Sequence, residues 1–429
     1  MNAPSQGSAT LAHKVQRLGH LDIPGGGQVV VQGHHAFIGH MRPPYGTTIL
    51  DISDPRKPRV VAELKLENDR SHTHKVRVAG DIMVTNVEHN NRRVVRASQR
   101  MLKARAELER TLGRKPSQKE LAAKLGIEES GLAPLEAELA SGYAEGGFKV
   151  WDIANPAKPR LIVHQKTGGV GVHRFDMDER YAYISTEMEG YLGNILVIYD
   201  LRDPQRPAEV SRWWMPGQHV AGGEKPTWPG MDYRLHHTLR QGDKLWAGCW
   251  QAGLRVIDVS DIAKPRTVGA YNYHPPIIEP THTVFKVPFA VAGREIALVT
   301  DEEHEHHRGQ PHAGMWVFDV TDLARIHPIG QFHVSEMDSP WSRTPGGRFG
   351  CHQFQEHLSD TRVFCTWFGG GLRVIDIRNP LLPEEVGCFI PEPCGGFACP
   401  QSNDVDVDQR GLIYMLDRNC GFDILEFQS

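Results

Sequence analysis

Short runs of aliphatic and β-branched residues recur along the chain, each ending in an aspartate and running into a turn. The clearest is Leu372-Arg373-Val374-Ile375-Asp376, opened by Gly371 and followed by Asn379-Pro380. The same phrase stands at Leu254-Arg255-Val256-Ile257-Asp258, closing at Pro265, and at Phe148-Lys149-Val150-Trp151-Asp152 before Asn155-Pro156. Further copies are Leu196 to Pro204, Thr48 to Pro55 and Met315 to Asp322, with a degenerate copy at Gly421 to Leu425. Continuous or alternating apolar runs of this length, bounded by Gly, Asn, Asp and Pro, predict strands rather than helices.

Each unit supplies four such strands. After the Asp-Pro turn comes a strand such as Arg59 to Leu64. Next is one opened by a polar residue, such as His74 to Val78, and then a partner such as Ile82 to Thr85. The Val-Ile-Asp strand completes the unit. A repeat of four strands arranged radially is a propeller blade, and a period above ~40 residues is too long for a β-solenoid turn. The expectation is an all-β, seven-bladed propeller over residues 14–429. Lys14 to Leu21 would enter as the missing strand of the last blade, removing an open sheet edge. Residues 91–147 interrupt the second blade with helical composition. Ser117-Gln118-Lys119-Glu120 reads as a capping box ahead of Leu121 to Leu125.

The repeats resemble the LVIVD-repeat family of β-propellers, over nearly the whole chain outside residues 91–147. That resemblance implies an architecture and little about activity. Leu112 to Ile127 resembles a helix-turn-helix piece of bacterial sigma factors, without the rest of that family. A helical lid or a homodimer contact is favoured for this insertion over a nucleic-acid-binding role.

The net charge of −4 over 429 residues gives no sign of a nucleic-acid-binding surface. No stretch is long and apolar enough to span a membrane, and Met1 to Lys14 has no signal-peptide core. A cytoplasmic protein is expected. The cysteine count is 7, and Cys388, Cys394 and Cys399 cluster. Reduced buried or loop thiols are expected rather than a disulfide framework or a Cys394/Cys399 metal site.

Aligning the units places a histidine at the start of the inner strand in five of them: His74, His173, His237, His282 and His352. The first unit has Gln28 there and the last has Asn403. Inner strands line a propeller's channel, so these imidazoles would converge on the axis as metal ligands. The competing reading is an inherited hydrogen-bond device tying blades together. His72 beside His74, and His236 beside His237, are placed on the opposite side and are secondary candidates, with His89, Asp301 and His304. Glu88, Glu187 and Glu302 end the neighbouring strands and are candidate acids or bases. The tract His304-Glu305-His306-His307 reads as a loop rim.

A ring of histidines in a seven-bladed propeller is similar in architecture to the carotenoid oxygenases and to the selenium-binding protein and methanethiol oxidase group. No sequence motif of either is present. The expectation is a divalent transition metal, Fe(II) or Cu ahead of Zn or Mn. Such a centre suits an oxidoreductase using O2 on a small, partly apolar substrate. The alternatives are a metal-dependent hydrolase or lyase and a non-catalytic scaffold for protein partners. No Gly-rich phosphate loop and no Gly-x-Ser-x-Gly elbow supports other chemistry.

Overall fold

The computed structural model describes residues 11–304 and 310–428. Antiparallel ladders of four strands follow one another along the chain. In the first, Gly26–Gln32 pairs with His35–His40, then Tyr45–Asp51, then Arg59–Lys65. The order repeats from Gly168–Met177 to Ala208–Trp213 and from Tyr233–Gln241 to Arg266–Tyr271. It repeats again from Thr281–Lys286 to His327–Phe332 and from Cys351–Phe354 to Glu384–Ile390. The final run, Ser402–Val407 to Cys420–Phe427, receives the N-terminal strand Val15–Pro24 as its outer member, with Val15 opposite Phe427 and Leu21 opposite Phe422.

Apolar side chains between ladders hold the architecture together. Val84 and Phe148 pack with Val172 and Ile184 of the next ladder, and Leu196 and Ile198 pack with Leu245 and Ile257 of the one after. The series also meets itself: Ile38 and Leu50 of the first ladder share a core with Tyr414, Phe422 and Ile424 of the last. Full burial of each such side chain contributes about 1.5–3 kcal/mol, so every interface is held by a group of them. These curled, mutually packed antiparallel sheets are an all-β, propeller-like fold.

The recurrent aspartate has a local task. Asp51 Oδ1 accepts from the Ser53 amide at 2.9 Å, and Asp258 and Asp376 accept from the amides of Ser260 and Arg378 at 2.9 Å. A second residue then repeats the device: Asp54, Asn155, Asp261 and Asn379 accept from the amide two positions on. These Asx turns satisfy amides that the ladder leaves unpaired as the chain reverses. The second ladder runs from Val76–Ala79 to Arg160–Lys166, and in the fourth, which begins at Tyr233–Gln241, Asp258 pairs with Lys244, which pairs with Gln241, so its turn lies at the end away from His236.

Between the paired strands Ile82–His89 and Gly147–Asp152 lie α1 (Arg92–Leu112), α2 (Gln118–Leu125) and α3 (Leu132–Ser141). Ser117 and Glu120 form the expected reciprocal cap of α2. Met101, Leu121, Leu132 and Leu135 give the helices an apolar core of their own. Among the described residues no helix is long and apolar enough to cross a membrane.

The cysteines depart from expectation. Cys394 and Cys420 form a disulfide, closing the turn after Glu384–Ile390 onto the start of the last strand. Cys399 is a buried free thiol, and Cys388 is free and half-buried. The sequence places Cys394 near Cys399, but the fold brings it to a cysteine 26 positions away.

Candidate metal centre

The inner strands share one irregularity that builds the site. Register shifts fall between Val172 and Arg174, between Thr281 and Thr283, and between Cys351 and Gln353. His173, His282 and His352 are the residues left over. A bulge releases one residue from the ladder and re-aims its side chain. In the fourth ladder the shift lies between Tyr233 and His237, and His237 pairs with Gly248. The released histidine there is His236.

The consequence is a string of imidazoles around one cavity. Ring centroids run His72 to His74 at 4.2 Å, His74 to His173 at 5.2 Å and His173 to His236 at 4.8 Å. They continue from His236 to His282 and from His282 to His352, each at 4.3 Å. All six line a cavity of about 330 Å³ together with Glu302, His304 and Trp250. His237 does not line it. It belongs one layer deeper, with its Nε2 3.3 Å from Arg77 and its Nδ1 3.7 Å from Glu356. His72 and His74 stand on the same side rather than opposite sides, because two steps along an extended chain return to one face.

Two groups within the string combine two imidazoles with one carboxylate: His72, His74 and Glu88, and His236, His282 and Glu302. In each, one ligand atom per residue can be chosen such that all lie within 4.8 Å of one another. Glu88 is fully buried and accepts from His72 Nε2 at 2.9 Å. His173 Nδ1 is 3.0 Å from the same oxygen. Glu302 sits between His304 Nε2 at 3.3 Å and His282 Nε2 at 3.9 Å, with His352 Nε2 at 4.0 Å. Arg348 donates to its other face at 2.9 Å.

Hydrogen bonds on the far ring nitrogens settle the tautomers. His236 Nδ1 donates to the His282 carbonyl at 2.9 Å, and His352 Nδ1 donates to the Asn403 carbonyl. Thr283 Oγ1 donates to Gln353 Oε1 at 2.7 Å, which leaves His282 Nδ1 to donate to Thr283 at 2.8 Å. Nε2 therefore carries the lone pair in His236, His282 and His352, the arrangement found where imidazoles ligate metals. At present His282 Nε2 accepts from Arg174 at 3.0 Å. The bonds from His236 and His352 also join adjacent ladders, so the histidines that face the cavity serve as a hydrogen-bond device between ladders as well. Burial holds His74, His173, His236, His282 and His352 well below the ordinary imidazole range, so these rings are neutral at pH 7. Burial opposes the charge on Glu88, but Arg92 and the His72 N–H outweigh it and keep the carboxyl low. Neutral imidazoles and ionised carboxylates without thiolates are donors that suit a divalent transition metal.

The other candidates fall outside the cavity. Asp301 accepts from Tyr273 Oη at 2.5 Å and Trp316 Nε1 at 2.7 Å, and burial pushes its carboxyl up to about 7. Glu187 pairs with Arg96 of α1 at 2.9 Å. His89 stacks edge-on against Tyr143 at 4.7 Å. Of the histidine-rich tract, His304 lines the cavity, while Glu305, His306 and His307 lie outside the described residues.

Residues without a repeat signal complete the wall. Arg92, in the first turn of α1, places its Nη1 2.7 Å from His173 Nδ1 and donates to Glu88 Oε1 at 3.3 Å. Arg234, in the same bulged stretch as His236, lines the cavity with it. Trp250 adopts a left-handed backbone with φ 52°, a strained geometry for a bulky side chain and one concentrated at functional sites.

Residues 26–64 and 242–273 match the LVIVD repeat. No curated protein matches the chain. One solved structure that matches is a chain of the mitotic checkpoint complex, with TM-score 0.53 and 7% identity over 99% of this chain and 98% of that one. Another is a protein from Lactobacillus plantarum, with TM-score 0.53 and 12% identity over 90% of each chain. At these identities the likeness is one of fold alone.

Proposed function

We propose that this LVIVD-repeat β-propeller is a metal-dependent oxidoreductase. Its centre lies on the axis of a seven-bladed ring, closed by the strand Val15–Pro24 and carrying residues 91–147 as an insertion. The observation that carries the reading is the pair of two-histidine, one-carboxylate groups around one cavity. That donor set, with positions left open, is characteristic of non-haem Fe(II) centres that activate O2. His72, His74 and Glu88 would hold one ion, and His236, His282 and Glu302 a second, with His352 beside the latter. A bound Fe(II) would supply the one-electron and O2 chemistry that side chains lack.

The chain's own residues keep the imidazoles neutral and fix the tautomers of His236, His282 and His352. Glu88 and Glu302 balance part of the metal charge. Arg92 places the start of α1 at the cavity wall, which supports a lid role for the insertion.

The test is elemental analysis of protein purified without added metal, followed by anaerobic Fe(II) loading and measurement of O2 consumption. Iron content with O2 uptake that disappears in His236→Ala supports the reading. Zinc alone, with no O2 uptake after iron loading, would replace it with metal-activated hydrolysis.

A further inference from the structure

The sequence led to an expectation of a partly apolar substrate, but the cavity wall is cationic. Arg42, Arg92, Arg234, Arg418 and Lys75 line it, and Glu302 is the one carboxylate of the lining among the described residues. Arg92 is matched by Glu88 at 3.3 Å. Arg418 donates to Asn403 Oδ1 at 3.2 Å and forms no ion pair among the described residues. Burial and the neighbouring Arg348 hold its guanidinium down to about 10, the behaviour of a cation lacking full compensation.

Arg234 is the most telling of these groups. It is 5% exposed, and its Nε donates to Asp232 Oδ2 at 2.9 Å. Its guanidinium lies 3.9 Å from the centroid of the strained Trp250 ring. Its Nη1 is buried and has no hydrogen-bond partner among the described residues. A buried, unpartnered guanidinium nitrogen costs free energy unless something accepts from it. Asp232 holds the Nε edge and Trp250 covers one face of the fork, and Arg234 is among the residues that line the cavity.

We propose that the cavity binds a small oxyanion substrate, a carboxylate or a phosphate, with Arg234 and Arg418 as its anchors beside the imidazole string. Planar guanidinium forks match both kinds of oxyanion. The cavity of about 330 Å³ admits a small molecule and not a polymer. Divalent ions held by the histidines would add positive charge and strengthen the same preference. The inference names the substrate class for the proposed metal centre, yet the arginines stand independently of any metal.

The experiment measures binding of inorganic phosphate and of succinate to the full chain by calorimetry, at about physiological ionic strength, where exposed charges are screened. It uses both metal-loaded and chelator-treated protein. The variants are Arg234→Gln, Arg418→Gln and, as a surface control, Arg378→Gln. One probe is expected to bind at one site per chain, and which one does so separates phosphate from carboxylate recognition. Arg234→Gln and Arg418→Gln should each weaken it about tenfold or more, with Arg378→Gln unchanged. Arg234→Lys should recover only part of the loss, because an ammonium cannot reproduce the fork. Circular dichroism and metal content on the same samples identify any variant that has simply unfolded, and Arg418→Gln then carries the test. Binding of neither probe in either form would overturn the proposal, as would wild-type affinity in both arginine variants. Probe binding to a protein that takes up no metal would uphold the anion site and reject the metal reading. Metal uptake without probe binding would do the reverse.

Discussion

His173 Nε2 lies 3.0 Å from His236 Nε2, and this contact joins the two halves of the imidazole string. The His236 Nε2 bears a lone pair, because its Nδ1 donates to the His282 carbonyl. His173 then has two choices. With Arg92 donating to its Nδ1, its Nε2–H donates to His236. With its Nδ1–H donating to Glu88, two lone pairs face one another and a cation is needed between them. Glu88 and Arg92 thus control which tautomer His173 adopts.

Glu88→Gln should shift that control. An amide is a weaker, uncharged donor than a carboxylate and cannot serve as an anionic partner for both His72 and His173, so metal affinity should fall by about tenfold or more. Metal content at sub-stoichiometric supply should fall in this variant. In Glu187→Gln, which alters contacts with Arg96 and the Val170 amide outside the cavity, metal content should stay at the wild-type level.

The one-residue distinction between His236 and His237 gives a sharper test. His236→Ala should lower bound metal. His237→Ala should retain metal and lower the melting temperature, because it opens a space at a buried position beside Arg77 and Glu356. Metal titration and thermal melts of the two variants check this. Metal loss from His237→Ala with full retention by His236→Ala would reverse the assignment.

Beneath the cavity, burial pushes the Asp404 carboxyl up to about 7, against Lys75 and Arg174, which favour its charge. Its Oδ2 accepts from the Val29 amide at 2.8 Å. A raised folded-state value means the native state holds the proton longer than the unfolded chain. This group's contribution to stability is therefore present at low pH and is lost as pH rises through about 7. Asp404→Asn keeps an acceptor for Val29 and removes the titration. The variant should gain on wild type between pH 5 and pH 8, by at least about 1 kcal/mol. Denaturant melts at the two pH values measure the gap, and a variant that gains nothing on wild type, or loses, between them contradicts the assignment.

Breaking the Cys394–Cys420 link with Cys394→Ser should destabilise the protein by about 2–4 kcal/mol. Reducing agent should lower the wild-type melting temperature and leave the variant's unchanged.

The fold was legible because its information is repeated. Each Val-Ile-Asp strand ends in an aspartate whose carboxylate accepts from a turn amide, and the phrase marks the same strand wherever it occurs. The closing role of the N-terminal strand followed from what the last copy lacked, and Val15 does pair with Phe427. The centre was only partly legible. Alternation assumes an unbroken ladder, and the site is built from bulges, so in the fourth ladder the reading fell on His237 in place of His236. The arginines went unseen because they come from unrelated places: Arg92 from a helix, Arg234 from a bulged strand and Arg418 from the turn before the last strand. The disulfide escaped because nearness in sequence favoured Cys399 over Cys420.

The most direct measurement of the central claim is metal stoichiometry in the wild-type chain and in a His236→Ala, His282→Ala double variant, with circular dichroism confirming that both are folded. The account predicts about one to two transition-metal ions per wild-type chain and a loss of at least the ion held with Glu302 in the variant. Metal near zero in folded wild type, or equal content in both proteins, would contradict it.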